Sequence, residues 1–263
     1  MDLGLKNRVA IVAAASKGLG RAVATELVRE GASVAICARS EKNLADAAEK
    51  IRSETGKDVL TWPADVSNPE AIREFVEAVD AEYGRVDICV TNAGGPPAKP
   101  FLEVSSQEWR DTIDQLLMST VAFAREVLPR MKKHQWGRFI TITSISVKQP
   151  IDGLLLSNSV RAGIAGLART LANEFGPFGI TVNNVCPGYT LTERLDELAE
   201  SAAHASGANR ESIYAKWTAG TPLGRLGKPE EFAAVVAFLA SERASYVNGT
   251  SIAVDGGMVR SLL

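Results

Sequence analysis

The chain has 263 residues, 46% of them hydrophobic and 23% charged, with a formal net charge of −2. A near-neutral balance without a Lys/Arg-rich run leaves no electrostatic footprint for nucleic acid or an anionic membrane, and favours a small organic substrate. The first residues lack a basic stretch followed by an apolar one, and no apolar run approaches the roughly 18 residues of a membrane span, so a soluble, cytoplasmic protein is expected.

Apolar, β-like runs recur at 9–13, 33–37, 59–62, 86–91, 138–143, 181–185 and 251–254, with amphipathic helical periodicity between most of them. Runs that are apolar throughout suit a parallel sheet covered by helices on both faces, and right-handed crossovers leave little choice of topology. The predicted fold class is therefore α/β, a doubly wound parallel seven-stranded sheet of Rossmann type forming one domain over residues 1–263. From about 190 to 222 the β pattern stops, and a helical stretch rich in Ala, Glu and Ser is inserted before the last strand. Such an insertion suits a mobile cover over a site.

The first chemical motif is Ala14-Ala15-Ser16-Lys17-Gly18-Leu19-Gly20, directly after the first strand and opening a helix that runs to near Gly31. Two glycines let the backbone approach a pyrophosphate, whose charge meets the N–H groups and dipole of the helix start. Ala14 stands where the usual pattern has its first glycine, so a tight turn without a ligand is the alternative. The second strand ends Cys37-Ala38-Arg39-Ser40, without an acidic residue to accept from a free ribose 2′-hydroxyl. Arg39 can instead hold a 2′-phosphate through its fork, with Lys17 as a second cation. NADP(H) is thus preferred, and NAD(H) stays possible if both side chains are ordinary exposed cations.

Asp65-Val66 follows the third strand and Asn92-Ala93-Gly94-Gly95 the fourth, which puts polar, glycine-rich loops at the sheet edge where ligands bind. Ser144 follows the fifth strand, and Pro187-Gly188-Tyr189-Thr190-Leu191-Thr192 the sixth. Cys37, Cys89 and Cys186 lie in or beside β-like runs and read as buried free thiols. His134 and His204 have no metal-ligand spacing, and no metal is expected.

Together with Gly224-Arg225-Leu226-Gly227-Lys228-Pro229-Glu230-Glu231, Asn248-Gly249-Thr250 and Val254-Asp255-Gly256-Gly257, these segments resemble, in order and over essentially the whole chain, the classical short-chain dehydrogenase/reductase family, β-ketoacyl-carrier-protein reductases included. The resemblance implies an oxidoreductase acting on a carbonyl or a secondary alcohol. It places Gly18, Leu19 and Gly20 at the pyrophosphate, in a loop whose Ala14, Ser16 and Lys17 also belong to the cofactor site. Asp65 and Val66 would meet the adenine, Asn92, Ala93 and Gly94 the adjoining ribose, and Pro187, Gly188 and Thr192 the nicotinamide. It also implies a homotetramer assembled through helices at about 119–134 and 157–175. In the second of these, Ala162, Gly163, Ala165, Gly166 and Ala168 permit close helix approach, or packing on the sheet alone.

Of the family's Asn, Ser, Tyr and Lys, ungapped spacing from Trp109 leaves only Ser144. The asparagine position falls on Leu116, the tyrosine position on Ser157 and the lysine position on Arg161, so the Tyr-x-x-x-Lys pair is absent. Ser157 and Arg161 still share one helix face. The family chemistry uses a phenol, of pKa near ~10, lowered by a lysine ammonium; a serine is a far weaker acid and an arginine a poor proton relay. Losing general acid catalysis, worth roughly 10²–10⁴ in rate, raises the barrier by about 3–5 kcal/mol.

The leading expectation keeps Ser144 orienting the substrate, Arg161 placing the nicotinamide ribose, and Ser157 or ordered water relaying the proton. Tyr189 serves as a substitute phenol or as an aromatic wall of the pocket. Lys148 and Asp152 read as an exposed loop pair. Leu154-Leu155-Leu156, with Pro150 and Ile151, either pack beneath a pocket or line it, and in the second case the substrate has an apolar body. Two alternatives remain open: a catalytically impaired nucleotide-binding protein with a regulatory or structural role, and a non-redox lyase or isomerase on the same fold.

Overall fold

The computed structural model describes residues 2–262. Seven strands form where the apolar runs predict them: β1 Val9–Ala13, β2 Ser33–Ala38, β3 Leu60–Pro63, β4 Ile88–Thr91, β5 Gly137–Ile142, β6 Ile180–Pro187 and β7 Ser251–Val254. Their spatial order is β3-β2-β1-β4-β5-β6-β7, with every neighbouring pair parallel. The chain starts in the middle of the sheet and winds outwards in both directions. Between β1 and β4 the connections leave towards opposite sides, which opens a crevice at the carboxyl ends of those strands.

The helices are α1 Gly18–Arg29, α2 Glu41–Thr55, α3 Pro69–Tyr83, α4 Ser106–Thr112, α5 Ser119–Lys133, α6 Leu155–Phe175, α7 Glu193–Ser206, α8 Arg210–Ala219 and α9 Pro229–Ala240. Because side chains alternate across a strand, Ala10 and Val12 of β1 face one layer while Val9, Ile11 and Ala13 face the other. The first layer holds α1 and α9 through residues such as Val23, Leu27, Phe232 and Val236, and the second holds α3, α5 and α6 through Phe75, Val127 and Ala168. Local chemistry sets the ends of several helices. Ser40 and Asn68 accept N-cap bonds for α2 and α3, and these helices stop at the left-handed Gly56 and Gly84.

The sixth strand runs two residues beyond its predicted end because its polar members are satisfied from the side. The buried Asn183 amide donates to Val247 O at 2.8 Å, and the Asn184 amide to Ser251 Oγ at 3.0 Å. At the amino end of the sheet, the buried Arg138 donates to Ser241 O, Gly137 O and Gly179 O, reaches Glu242 at 3.7 Å, and stacks on Trp136. The stretch at 190–222 is built as α7 and α8. Trp217 of α8 stacks on Tyr189 with ring centroids 4.5 Å apart, which ties α8 to the segment leaving β6.

Candidate active site

A cleft of about 820 Å³ lies at the carboxyl ends of the strands. Its floor is set by the turn after β1. Ala14 adopts φ +48° and Gly18 φ +56°, and the glycine-free first position is therefore a strained one. Gly20 is buried in α1 rather than on the cleft: a Cβ there would come within 2.6 Å of Ala14 O. Its service is close packing of helix on turn, one step removed from the contact expected of it. The first turn of α1 has no side-chain cap and no acidic residue, so its N–H groups stay available to an anion. A dinucleotide pyrophosphate fits that turn in both shape and charge.

The other expected cofactor residues, Ala14, Ser16, Lys17, Gly18, Leu19, Arg39, Asp65, Val66, Asn92, Ala93, Gly94, Pro187, Gly188 and Thr192, all line this one cleft. Arg39 is exposed and acts on Asp65 through its charge. Burial would raise Asp65, but the N–H and O–H of Ser67, with Arg39, hold its carboxyl below the usual range. Lys17 is already engaged: its Nζ lies 3.4 Å from Glu197 of α7. Asn92 donates to Ala14 O at 3.4 Å, which joins the two glycine-bearing loops. Thr192 caps α7, accepting from Leu195 N.

Ser144, Ser157, Arg161 and Tyr189 line the same cleft. Ser144 Oγ accepts from Ser146 N at 3.1 Å, which leaves its own proton free. Ser157 and Arg161 are each only 7% exposed, and the helical spacing joins them: Arg161 Nε donates to Ser157 Oγ at 3.1 Å. Arg161 Nη1 donates to Ile142 O at 3.2 Å and Thr143 O at 3.0 Å, which fixes the guanidinium plane against the end of β5. Burial, reinforced by the charge of Arg194 and opposed by Cys186, lowers the Arg161 pKa to about 10. Tyr189 moves the opposite way: burial first, then Asp152, raises its phenol above the ordinary value.

Leu116 is buried in a π-helical turn, Ile113–Met118, between α4 and α5, where it packs with Val160 and Ile164. Its neighbour Gln115 faces the cleft and donates to Gly94 O at 3.3 Å. Sequence spacing missed Gln115, because the extra residue in a π turn shifts which side chain points inwards. Arg194 was missed as well, although it follows Thr192 closely. From α7 it reaches across the mouth to Pro96 O at 2.8 Å and pairs with Glu197 at 3.1 Å. Of the apolar run, Ile151 and Leu154 line the cleft and Leu156 is core, so both readings hold in part. Asp152 is exposed, and neither it nor Lys148 lines the cleft. Cys37, Cys89 and Cys186 are buried free thiols.

Sheet order, glycine turn and switch-point cleft define a doubly wound α/β protein with the ligand cleft of dinucleotide-dependent enzymes. The family profile described as Enoyl-(Acyl carrier protein) reductase matches residues 13–259. The 3-oxoacyl-(acyl-carrier-protein) reductase FabG of Pseudomonas aeruginosa is 36% identical over 259 residues, covering 98% of this chain and 100% of the relative. The crystal structure of L-sorbose reductase from Gluconobacter frateurii, complexed with NADPH and L-sorbose, superimposes with a TM-score of 0.94 at 32% identity and covers 100% of both chains. An actinorhodin polyketide ketoreductase variant solved with NADPH gives a TM-score of 0.93 at 31% identity, covering 97% of this chain and 98% of its own. The chain belongs to the short-chain dehydrogenase/reductase family, and these relatives are reductases.

Among the described residues no helix is long and apolar enough to cross a membrane, and no group of three or more His, Cys, Asp or Glu side chains could hold a metal ion.

Proposed function

We propose that this protein is an NADP(H)-dependent oxidoreductase acting on a carbonyl or secondary alcohol, in the manner of the 3-oxoacyl reductases, through an active site that lacks the Tyr-x-x-x-Lys pair. The observation that carries this reading is the convergence, in one cleft, of the uncapped glycine turn with the Ser144, Ser157 and Arg161 donors. The turn and α1 would hold the pyrophosphate, Arg39 the 2′-phosphate, and Pro187 and Gly188 the nicotinamide. The bound cofactor supplies hydride chemistry. Two of the most similar solved structures carry NADPH, in support of the phosphorylated form.

Ser144 holds a free hydroxyl proton towards the substrate oxygen, while the buried Arg161 places positive charge beside it. These donors stabilise negative charge on oxygen, with Ser157 or water supplying the proton. Tyr189 acts as a wall: its stacking on Trp217 and its raised pKa both work against an acid role. The residues of α7 and α8 serve as a cover. Tetramer assembly through α5 and α6 is supported by the small residues Ala162, Gly163 and Gly166, which face outwards on α6, whereas Ala168 packs on the sheet.

Titration with NADPH and NADH, followed by a screen of carbonyls and alcohols, tests the reading. Tighter binding of NADPH and steady cofactor turnover are expected, with a faster rate for the double variant Ser157→Tyr/Arg161→Lys. Cofactor binding without turnover across the screen would favour a regulatory nucleotide-binding role, and product formed with no change in cofactor absorbance would favour a lyase or isomerase. Sizing in solution checks the tetramer.

A further inference from the structure

Arg161 is a buried cation without a counter-ion. Its Nη1 and Nε donate to two backbone carbonyls and the Ser157 hydroxyl, while Nη2 has no partner among the described residues and no carboxylate is among the charges acting on it. Isolating such a charge from water is costly, and a ligand that brings a full negative charge offsets that cost. Geometry narrows the ligand further. One N–H of Nη2 runs parallel to Nε–H in the planar guanidinium, so it points alongside Ser157 Oγ. Having accepted from Nε, that oxygen turns its own proton away from the guanidinium. Two donors therefore lie side by side on a cleft that both residues line.

A neutral carbonyl oxygen or a ribose hydroxyl uses these donors but leaves the charge unmatched. A carboxylate supplies two acceptor oxygens at the spacing of two adjacent donors and carries the whole charge. Ile145, Ile151, Leu154 and Leu198 line the same cleft and suit an apolar body. We infer that the substrate is an oxo acid bound as its free carboxylate, held by Arg161 Nη2 and the Ser157 hydroxyl, with an apolar chain against Ile151 and Leu154. The oxo group rests on the reductase reading above, with water rather than Ser157 supplying its proton; the carboxylate site does not. Arg194, whose charge reaches Arg161, is a second cation on the same side.

The test is equilibrium binding, without turnover, of 4-methyl-2-oxopentanoate and of its methyl ester to the full chain, with and without saturating NADP+. The acid is expected to bind at least tenfold more tightly than the ester. Arg161→Gln should erase that preference and Arg161→Lys retain part of it, while Ser157→Ala weakens the acid severalfold and leaves the ester unchanged. Should Arg161→Gln fail to fold, the wild-type ratio and Ser157→Ala still decide. Equal binding of acid and ester, binding of neither, or an Arg161→Gln variant that loses only NADP+ affinity while keeping the acid preference would overturn the inference. Absence of NADP(H) binding with the acid preference intact would instead sink the reductase reading alone.

Discussion

Two buried arginines sit at opposite ends of β5, and they differ in what faces their charge. Arg138, at the amino end, is 2% exposed, has three backbone carbonyls for its donors and Glu242 for its charge, and lies on the Trp136 ring. Arg161, at the carboxyl end, is 7% exposed and meets only carbonyls and a hydroxyl, with one nitrogen left towards the cleft. Burial lowers the pKa of both, but for Arg138 the carboxylate of Glu242 pulls the other way. Burial and an Nη2 without a hydrogen bond are common to both; what separates them is the carboxylate of Glu242 set against Arg138, where no carboxylate is among the charges acting on Arg161.

Removing each charge separates the two arginines most clearly. Arg138→Ala strips donors from Ser241 O and Gly179 O and empties the stack on Trp136, and should cost about 3 kcal/mol in urea unfolding. Arg161→Gln should stay within about 1 kcal/mol of wild type in the same experiment, since its charge is held at a cost; equal losses would erase the distinction. Next in size is the pH dependence of carboxylate binding. Burial lowers the Arg161 pKa to about 10, so binding should weaken as pH rises above that value, by up to about tenfold per pH unit. The sign for folding is the reverse: a base whose native pKa is depressed disfavours the folded state while protonated, and that penalty is relieved as pH rises through about 10. Acid binding that stays flat to pH 11, on the order of one unit past the transition, would point to another cation.

Strain at the carboxyl end gives a smaller effect. Ala14→Gly, at φ +48°, should stabilise the protein by up to about 1 kcal/mol, read as a shift in urea midpoint at unchanged slope. The smallest expectation concerns Tyr189→Phe. With its phenol raised by burial and Asp152, Tyr189 keeps its proton throughout the working range, and its loss should leave the shape of the pH–rate profile unaltered.

The doubly wound sheet was legible because strands covered on both faces are written as apolar runs, and β1, β4 and β5 fall within two residues of those runs. The shared cleft was legible because loops at the carboxyl ends of parallel strands must meet there. Gly20 was read as touching ligand because a sequence records that a side chain is absent, not which neighbour needs it absent; here the neighbour is Ala14 O. Gln115 lay hidden behind a π turn, whose extra residue leaves no mark in hydrophobic spacing. The pairing of Lys17 with Glu197 joins residues 180 positions apart, beyond the reach of any local pattern.

Gly95 carries a constraint of its own. The space its Cβ would take is held by the Arg194 guanidinium, with Nε and Nη2 at 2.7 and 2.8 Å from that point. An alanine there would be accommodated by swinging the guanidinium aside, which breaks its bond to Pro96 O. The Arg194 tie from α7 across the mouth of the cleft thus depends on the absence of one methyl group on the facing loop. In terms of mutational tolerance the dependence runs one way: a side chain at 95 requires a smaller or displaced residue at 194, whereas a smaller residue at 194 leaves glycine at 95 unstrained.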